Sequence, residues 1–160
     1  MKAAFLISLV VLAFKSCDLF SPMEPDNGMK VTFAISDTTG QPRATFRTGE
    51  SFDLIFAITN LSGKDQIYRH SGPTVIFEIR QADSTITSSV DGLAWVQVVE
   101  SGVLRNGQTE TQTWRAPNSP ARQPRIELAP GDYFARAVMR YGFQKAPVVE
   151  PPDIPFRIEL

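Results

Sequence analysis

Histidine and cysteine, two residue types that carry much of enzyme chemistry, occur once each in this 160-residue chain, as His70 and Cys17. A zinc site takes three or four nitrogen or sulfur ligands, and the chain does not supply them. A single cysteine excludes an internal disulfide, so packing alone must stabilise the fold. A Ser-His-Asp triad would have to use His70, and no G-x-S-x-G motif accompanies it. We therefore predict that the protein is not an enzyme and uses no cofactor or metal.

An excess of positive charge is also missing. The chain has 16 basic and 17 acidic residues; without Lys2 and Lys15, in the first sixteen residues, 14 basic residues remain. This balance does not indicate the basic surface that nucleic-acid-binding proteins use. The acids fall mostly in turns or at outward positions of predicted strands, which predicts a solvated surface rather than a paired-carboxylate site. His70, between Arg69 and Ser71 in a turn-like stretch, is expected to be exposed and without a ligand role.

No segment keeps the three-four spacing of an amphipathic helix, whereas alternation of apolar and polar residues is frequent. The clearest example places Phe52, Leu54, Phe56 and Ile58 on one face of a strand. Turn-forming residues separate the alternating segments, and Asn106-Gly107 is the strongest two-residue hairpin signal. We predict an all-β fold, a single Ig-like β-sandwich of about seven to nine strands. The predicted strands cover residues 29–35, 52–59, 75–80, 93–99, 109–114, 133–140 and 154–160.

The amino terminus has the pattern of a secretory signal. Lys2 precedes twelve uncharged residues, 3–14, a length typical of a signal-peptide core and too short for a membrane-spanning helix. Ser16 and then Cys17 follow, as at the end of a bacterial lipoprotein signal, although Phe14 and Lys15 depart from the usual lipobox. We predict a signal peptide over 1–16, lipidation of Cys17, a flexible tether over 17–28 and a domain over 29–160. The alternative is an ordinary secretory peptide cut by the other signal peptidase.

This organisation predicts a protein of the bacterial cell envelope that is lipid-anchored to either the inner or the outer membrane. Acyl chains contribute about 0.8 kcal/mol for each buried methylene, and more than one chain makes attachment stable. We expect a monomer. Asn60-Leu61-Ser62 matches a glycosylation acceptor, but in a bacterial lipoprotein it is better interpreted as a turn.

The segment Leu128-Ala129-Pro130-Gly131-Asp132-Tyr133 precedes a predicted strand. Such L-x-P-G-x-Y segments recur at the corner of Ig-like sandwiches, where the tyrosine packs its ring and its hydroxyl bonds back to the backbone. Other segments resemble, in order, those of the BsuPI family of intracellular proteinase inhibitors from bacilli. They are Ile58 to Ser62 with its N-x-S, Ser71-Gly72 before Phe77-Glu78-Ile79, Trp95-Val96-Gln97, Leu104 to Gln108, and Trp114 at the end of a strand.

The resemblance implies a non-enzymatic Ig-like binding domain whose loops occlude the cleft of a protease. A loop that enters a cleft must be rigid and exposed, and the proline-stiffened residues 116–124 are the candidate. Its predicted partner-binding residues are Asn118, Arg122 and Gln123. One alternative is a structural or accessory envelope lipoprotein that docks on a protein complex. Another is a carbohydrate-binding module using Trp95, Trp114 or Tyr141, although both tryptophans match packing positions of the family and are expected in the core.

Overall fold

The computed structural model describes residues 28–95, 98–118, 125–144 and 148–160. These residues form eleven strands and no α-helix. None of them builds a helix with the length and apolar character needed to cross a membrane. The predicted signal peptide, Cys17 and most of the tether lie outside the described residues. The strands are β1 Met29–Ser36, β2 Thr45–Arg47, β3 Phe52–Asn60, β4 Gln66–Ser71, β5 Val75–Gln81, β6 Ser84–Ser88, β7 Val99–Leu104, β8 Thr109–Ala116, β9 Gly131–Met139, β10 Gly142–Phe143 and β11 Ile154–Glu159.

The strands form three sheets. Sheet I has the order β1-β3-β8, sheet II the order β2-β11-β9-β5-β6, and the small sheet the order β10-β4-β7. Every pairing is antiparallel except that of β2 with β11. Aromatic side chains join sheets I and II: Phe52 lies 5.1 Å from Phe156 between ring centroids, and Phe33 lies 6.2 Å from Phe77. The predicted β-sandwich is confirmed.

Strand β3 shows why these residues form this fold. Phe52, Leu54, Phe56 and Ile58 are completely buried, because a strand turns alternate side chains to the same face. Burying a large apolar side chain contributes about 1.5–3 kcal/mol, so this row fixes which face of β3 is turned to the core. A shift of one residue in register would expose the whole row.

The corner before β9 also agrees with the sequence. Tyr133 is buried, its ring stacks on Phe156 at 5.6 Å, and its hydroxyl donates to the carbonyl of Ala129 at 2.8 Å. Leu128 is buried beside it. The predicted tyrosine corner is confirmed, and it holds the turn that leads into β9.

Three predictions about strands need correction. The strand count is eleven rather than seven to nine, partly because β2 and β10 have three and two residues and are too short to show alternation. Residues 93–95 lie outside any strand, and β7 begins only at Val99. Asn106-Gly107 is a turn but not a hairpin, since β7 pairs with β4 while β8 pairs with β3.

The hydrogen bonds of Asn60 explain why β7 and β8 separate at the Asn106-Gly107 turn. Its backbone N–H donates to the carbonyl of Gln108 and its own carbonyl accepts from Gly107, so the turn continues the β3–β8 ladder. Its buried side-chain amide donates to the carbonyls of Leu104 and Lys64, both at 2.8 Å. Its Oδ1 accepts from the backbone N–H and the hydroxyl of Ser62. The interpretation of Asn60-Leu61-Ser62 as a turn is therefore confirmed.

Candidate functional site

The predicted partner-binding loop is described only at its base. Asn118 is half-buried, and its side chain clamps the backbone of Ile126: Oδ1 accepts from the N–H at 2.8 Å, and Nδ2 donates to the carbonyl at 3.3 Å. The carbonyl of Asn118 accepts a bond from the Trp114 indole at 3.2 Å. Asn118 thus joins the two ends of the loop. Arg122 and Gln123 lie outside the described residues, and partner binding by this loop stays a prediction.

The small sheet provides a second candidate surface. Its outward face carries Ile67 and Val103, which are cross-strand partners and are 48% and 49% exposed, and Val99, which is 69% exposed. Arg69 and Ser101 form the next outward pair along the same two strands. Three exposed β-branched side chains therefore share this face with Arg69 and Ser101, and exposed apolar surface next to polar residues is a feature of interaction sites.

These aliphatic residues face outward because other side chains occupy the inner face. Tyr68 of β4 points inward, where its ring lies 4.9 Å from Tyr141 and 5.4 Å from Phe143. Gly102 is its cross-strand partner, and a Cβ added there would come within 3 Å of the Tyr68 ring. The glycine makes room for the tyrosine. By the alternation of the strands, Ile67, Val99 and Val103 are then turned away from the core.

Strand β7 forms one edge of the small sheet. Within the part of the chain that the structure describes, β7 pairs with β4 and with no other strand. An edge strand presents backbone N–H and C=O groups that another chain can pair with. The exposed patch therefore adjoins a backbone edge able to accept a further strand.

A groove of about 550 Å³ lies at one end of this face. Its walls come from the end of β4, the start of β7, the end of β9 and β10, and they include Arg69, His70, Ser71, Val99, Met139 and Arg140. Gly142 of β10 lies opposite Arg69, where an added Cβ would be 3.0 Å from the carbonyl of Arg69. The absence of a side chain at Gly142 keeps this end of the sheet open.

Two of the described arginines that lack a carboxylate partner, Arg69 and Arg140, line the groove. Arg43, Arg115, Arg136 and Arg157 each form an ion pair, with Glu50, Asp53, Asp153 and Asp132 respectively. Among the described residues, Arg69 and Arg140 have no such carboxylate partner, and their guanidinium groups make no hydrogen bond. Two unneutralised cations therefore share one groove.

His70 differs from its prediction as an exposed turn residue. It lies in β4 and is half-buried, with its ring 5.8 Å from that of Tyr68. Its Nδ1 lies 2.9 Å from the carbonyl of Gly72. Because a carbonyl only accepts, Nδ1 carries the hydrogen, which leaves Nε2 of the neutral ring as an acceptor.

A carboxylate that the sequence did not single out lies beneath the small sheet. Glu110 of β8 is half-buried and accepts hydrogen bonds from the hydroxyls of Tyr68, at 3.1 Å, and Tyr141, at 3.0 Å. The expectation that the acids lie mostly outward does not hold here, since Glu110 shares the face of Trp114 and Ala116. The position of Glu110 on the same face as Gln112, Trp114 and Ala116 is the feature of the sequence that could have predicted that Glu110 points inward. The bonds anchor β4 and the segment before β10 to sheet I.

The aromatic candidates for sugar binding separate in the structure. Trp114 is buried, as expected, and stacks near Phe77 at 6.5 Å. Trp95 is 50% exposed, so its expected core position is wrong, and its ring lies over Gly72. The hydroxyl of Tyr141 is engaged by Glu110. Of the three, only Trp95 exposes a large part of its ring, and it does so beside the small sheet.

Among the described residues, no three His, Cys, Asp or Glu side chains are grouped so that they could hold a metal ion. The fold and the surface define a β-sandwich protein with an exposed apolar sheet face and an adjoining cationic groove.

Comparison with known proteins yields only distant structural neighbours. No family model matches the chain, and no curated protein matches it. A β-glucosidase from Listeria innocua in complex with glucose has a TM-score of 0.43 and 11% identity over 81% of this chain. An alkylpurine DNA glycosylase from Pseudomonas fluorescens, bound to DNA containing an abasic site analogue, has a TM-score of 0.40 and 13% identity over 83%. This chain spans 16% of the glucosidase and 31% of the glycosylase. At these values the neighbours assign no activity or ligand.

Proposed function

We propose that this chain is a non-enzymatic binding domain, tied to a bacterial envelope membrane through lipidated Cys17, that holds a protein partner on the outer face of its small sheet. The observation that carries the proposal is the exposure of Ile67, Val99 and Val103 together on that face. Interface cores are poor in charged residues and rich in apolar side chains. The open edge of β7 adds a second means of attachment, by main-chain pairing.

The resemblance to BsuPI-type inhibitors suggests one specific form of this function. In that form the partner is a protease, and the domain blocks its cleft sterically without chemistry of its own. The small-sheet face and the loop over residues 116–124 are the two surfaces that could do this. The alternative form is an accessory lipoprotein whose partner is part of an envelope complex.

A protease panel tests the inhibitor form. The processed full chain is assayed against serine proteases beside Val103→Asp, which places a charge on the small-sheet face, and Arg122→Ala/Gln123→Ala in the loop. The matched control is Phe134→Asp, since Phe134 is an exposed apolar residue of sheet II, 40% exposed. We expect inhibition that Val103→Asp abolishes and the control retains. If no protease loses activity, the inhibitor form is wrong. If only the loop variant loses inhibition, the inhibitory surface is the loop over residues 116–124 rather than the small-sheet face.

The accessory form has its own readout, which is a partner retained through purification after cross-linking in cells. It predicts that Val103→Asp releases this partner and that Phe134→Asp does not. A partner that both variants retain would exclude the small-sheet face as the binding surface.

The anchor is tested separately from the surface. Metabolic labelling with palmitate is expected to mark the wild-type chain and not Cys17→Ala. Equal labelling of both chains would overturn lipidation at Cys17, whereas an unlabelled wild-type chain would favour an ordinary secretory signal.

A further inference from the structure

Resting on the proposed function, we infer that the groove between Arg69 and Arg140 binds a carboxylate side chain of the partner, so that the occupant of the small-sheet face is an acidic, aliphatic polypeptide segment. The charge of the groove, the strand geometry and the apolar side chains around the groove all favour such a segment.

Among the described residues that line the groove, Arg69 and Arg140 carry guanidinium groups and none is an aspartate or glutamate. Four other arginines of the described residues are each neutralised by a bidentate contact with a carboxylate: Arg43, Arg115, Arg136 and Arg157. Two cations that line one groove without a carboxylate partner favour an anionic ligand, and the planar fork of arginine matches a carboxylate.

The strand geometry selects a polypeptide. Along β4 and β7 the outward pairs are Ile67 with Val103, then Arg69 with Ser101, then Ser71 with Val99. The cationic position therefore lies between aliphatic positions at the two-residue period of a strand. An extended segment in which apolar and acidic residues alternate has the same period. It can pair with the free edge of β7 while its side chains contact this face.

The apolar part of the surface argues against a free anion or a membrane surface as the occupant. Val99 and Met139 line the groove beside the arginines, and Ile67 and Val103 extend the apolar contact beyond it. A phosphate ion gains nothing from these side chains. An anionic bilayer is bound by clusters of several cationic side chains, whereas this groove presents two arginines.

The experiment uses the full chain in a zwitterionic detergent and a synthetic peptide in which valine and glutamate alternate. A second peptide replaces every glutamate by glutamine. Dissociation constants are measured by titration, and backbone amide shifts locate the contacts. The variants are Arg69→Gln/Arg140→Gln, the matched control Arg47→Gln/Arg105→Gln, which removes two exposed arginine charges elsewhere, and Val103→Asp for the apolar face.

We expect the glutamate peptide to bind with amide shifts at Arg69, Ser101 and Arg140. Two exposed charge pairs correspond to about a tenfold change in affinity. The glutamine peptide and the Arg69→Gln/Arg140→Gln variant should therefore each bind about tenfold more weakly, and the control variant within about twofold of wild type. Val103→Asp should weaken binding of both peptides.

Other results separate the two proposals. Equal affinity of Arg69→Gln/Arg140→Gln and its control, with binding lost in Val103→Asp, overturns the carboxylate inference and leaves the binding face intact. Full binding by Val103→Asp overturns the proposed use of that face. If the peptide does not bind but inorganic phosphate binds in an arginine-dependent way, the ligand of the groove is a free anion and the polypeptide inference is wrong. If vesicles of phosphatidylglycerol bind in that way instead, the ligand is a lipid surface.

Discussion

The hydroxyl of Tyr68 in β4 donates to the carboxylate of Glu110 in β8, with 3.1 Å between the oxygen atoms, and so ties the small sheet to sheet I. Tyr141 donates to the same carboxylate at 3.0 Å. The strands β4 and β7, which carry the exposed apolar face, do not pair with sheet I or sheet II. The position of that face therefore depends on side chains that join it to the sandwich, and Glu110 accepts two of these bonds.

Replacing Glu110 by glutamine is expected to lower the pKa of both tyrosines. Burial is the largest cause that raises the pKa of Tyr68 to about 12, and the negative charge of Glu110 adds to it. For Tyr141 burial again dominates; Glu110 adds to it, and a hydrogen bond with Thr74 opposes it. In Glu110→Gln the burial remains, so the pKa should fall without reaching the ordinary value of about 10. Titration of the phenolate absorbance measures it, with Glu159→Gln as control. An unchanged titration would contradict the contribution of Glu110.

The same tyrosines predict a loss of stability in alkali. A group with a raised folded pKa favours the folded state while it is protonated, so its contribution is complete below the ordinary pKa of about 10. It is lost as the pH rises from about 10 through about 12, where the folded phenols ionise. Urea unfolding at a series of pH values should show this decline, and Tyr68→Phe/Tyr141→Phe should flatten it. A decline of unchanged steepness in that double variant would assign it to other groups.

Alternation predicted the strands whose buried rows are apolar and failed where they are not. β3, β5, β9 and β11 bury aliphatic and aromatic rows, and their positions followed from the sequence. In β4 the inward residues are Gln66, Tyr68 and His70, while Ile67 faces solvent. Contacts with Glu110 and with the other aromatic rings determine which face of β4 points inward. These contacts join residues that are distant in the sequence, so the local sequence pattern does not predict them.

Asn60→Ala is expected to lower the free energy of unfolding by about 2–3 kcal/mol, because it removes several hydrogen bonds and leaves the buried carbonyl of Leu104 without this donor. The side chain of Asn60 is completely buried and serves Leu104, Lys64 and Ser62 together. Asn106→Ala is the control, since Asn106 is exposed and its side chain accepts one bond, from the N–H of Gly63. Chemical denaturation measures both. Equal losses in the two variants would contradict a special role for Asn60 in joining β3 to the end of β7.

The candidate site was less predictable than the fold. The loop over residues 116–124 was selected by its prolines, whereas the exposed face of the small sheet depends on which side of β4 and β7 turns outward. Arg69 and Arg140 are 71 positions apart in the sequence, and the pairing of β10 with β4 brings the segment between β9 and β10, which contains Arg140, to the same groove as Arg69. Such a long-range arrangement leaves no signature in local spacing.

Tyr133→Phe isolates the hydroxyl of the tyrosine corner. The variant keeps the ring stacked on Phe156 and removes the hydrogen bond to Ala129. The expected loss is about 1 kcal/mol, the usual net value of one hydrogen bond. Tyr133→Leu removes the stacked ring as well and should cost more. Thermal or urea unfolding of both variants measures the difference; a neutral Tyr133→Phe would show that the packed ring alone maintains the corner.

Gly102→Ala tests whether the tyrosine requires the glycine opposite it. In the wild-type background the new Cβ would come within 3 Å of the Tyr68 ring, and overpacking of this kind costs about 1–3 kcal/mol. With Tyr68→Leu the ring is absent, and the same change should be neutral or stabilising, because alanine restricts the unfolded chain more than glycine does. The two substitutions therefore form a double-mutant cycle with an expected coupling of at least about 1 kcal/mol. A cycle without coupling would show that the ring can move aside, and that the outward facing of Val99 and Val103 does not depend on this contact.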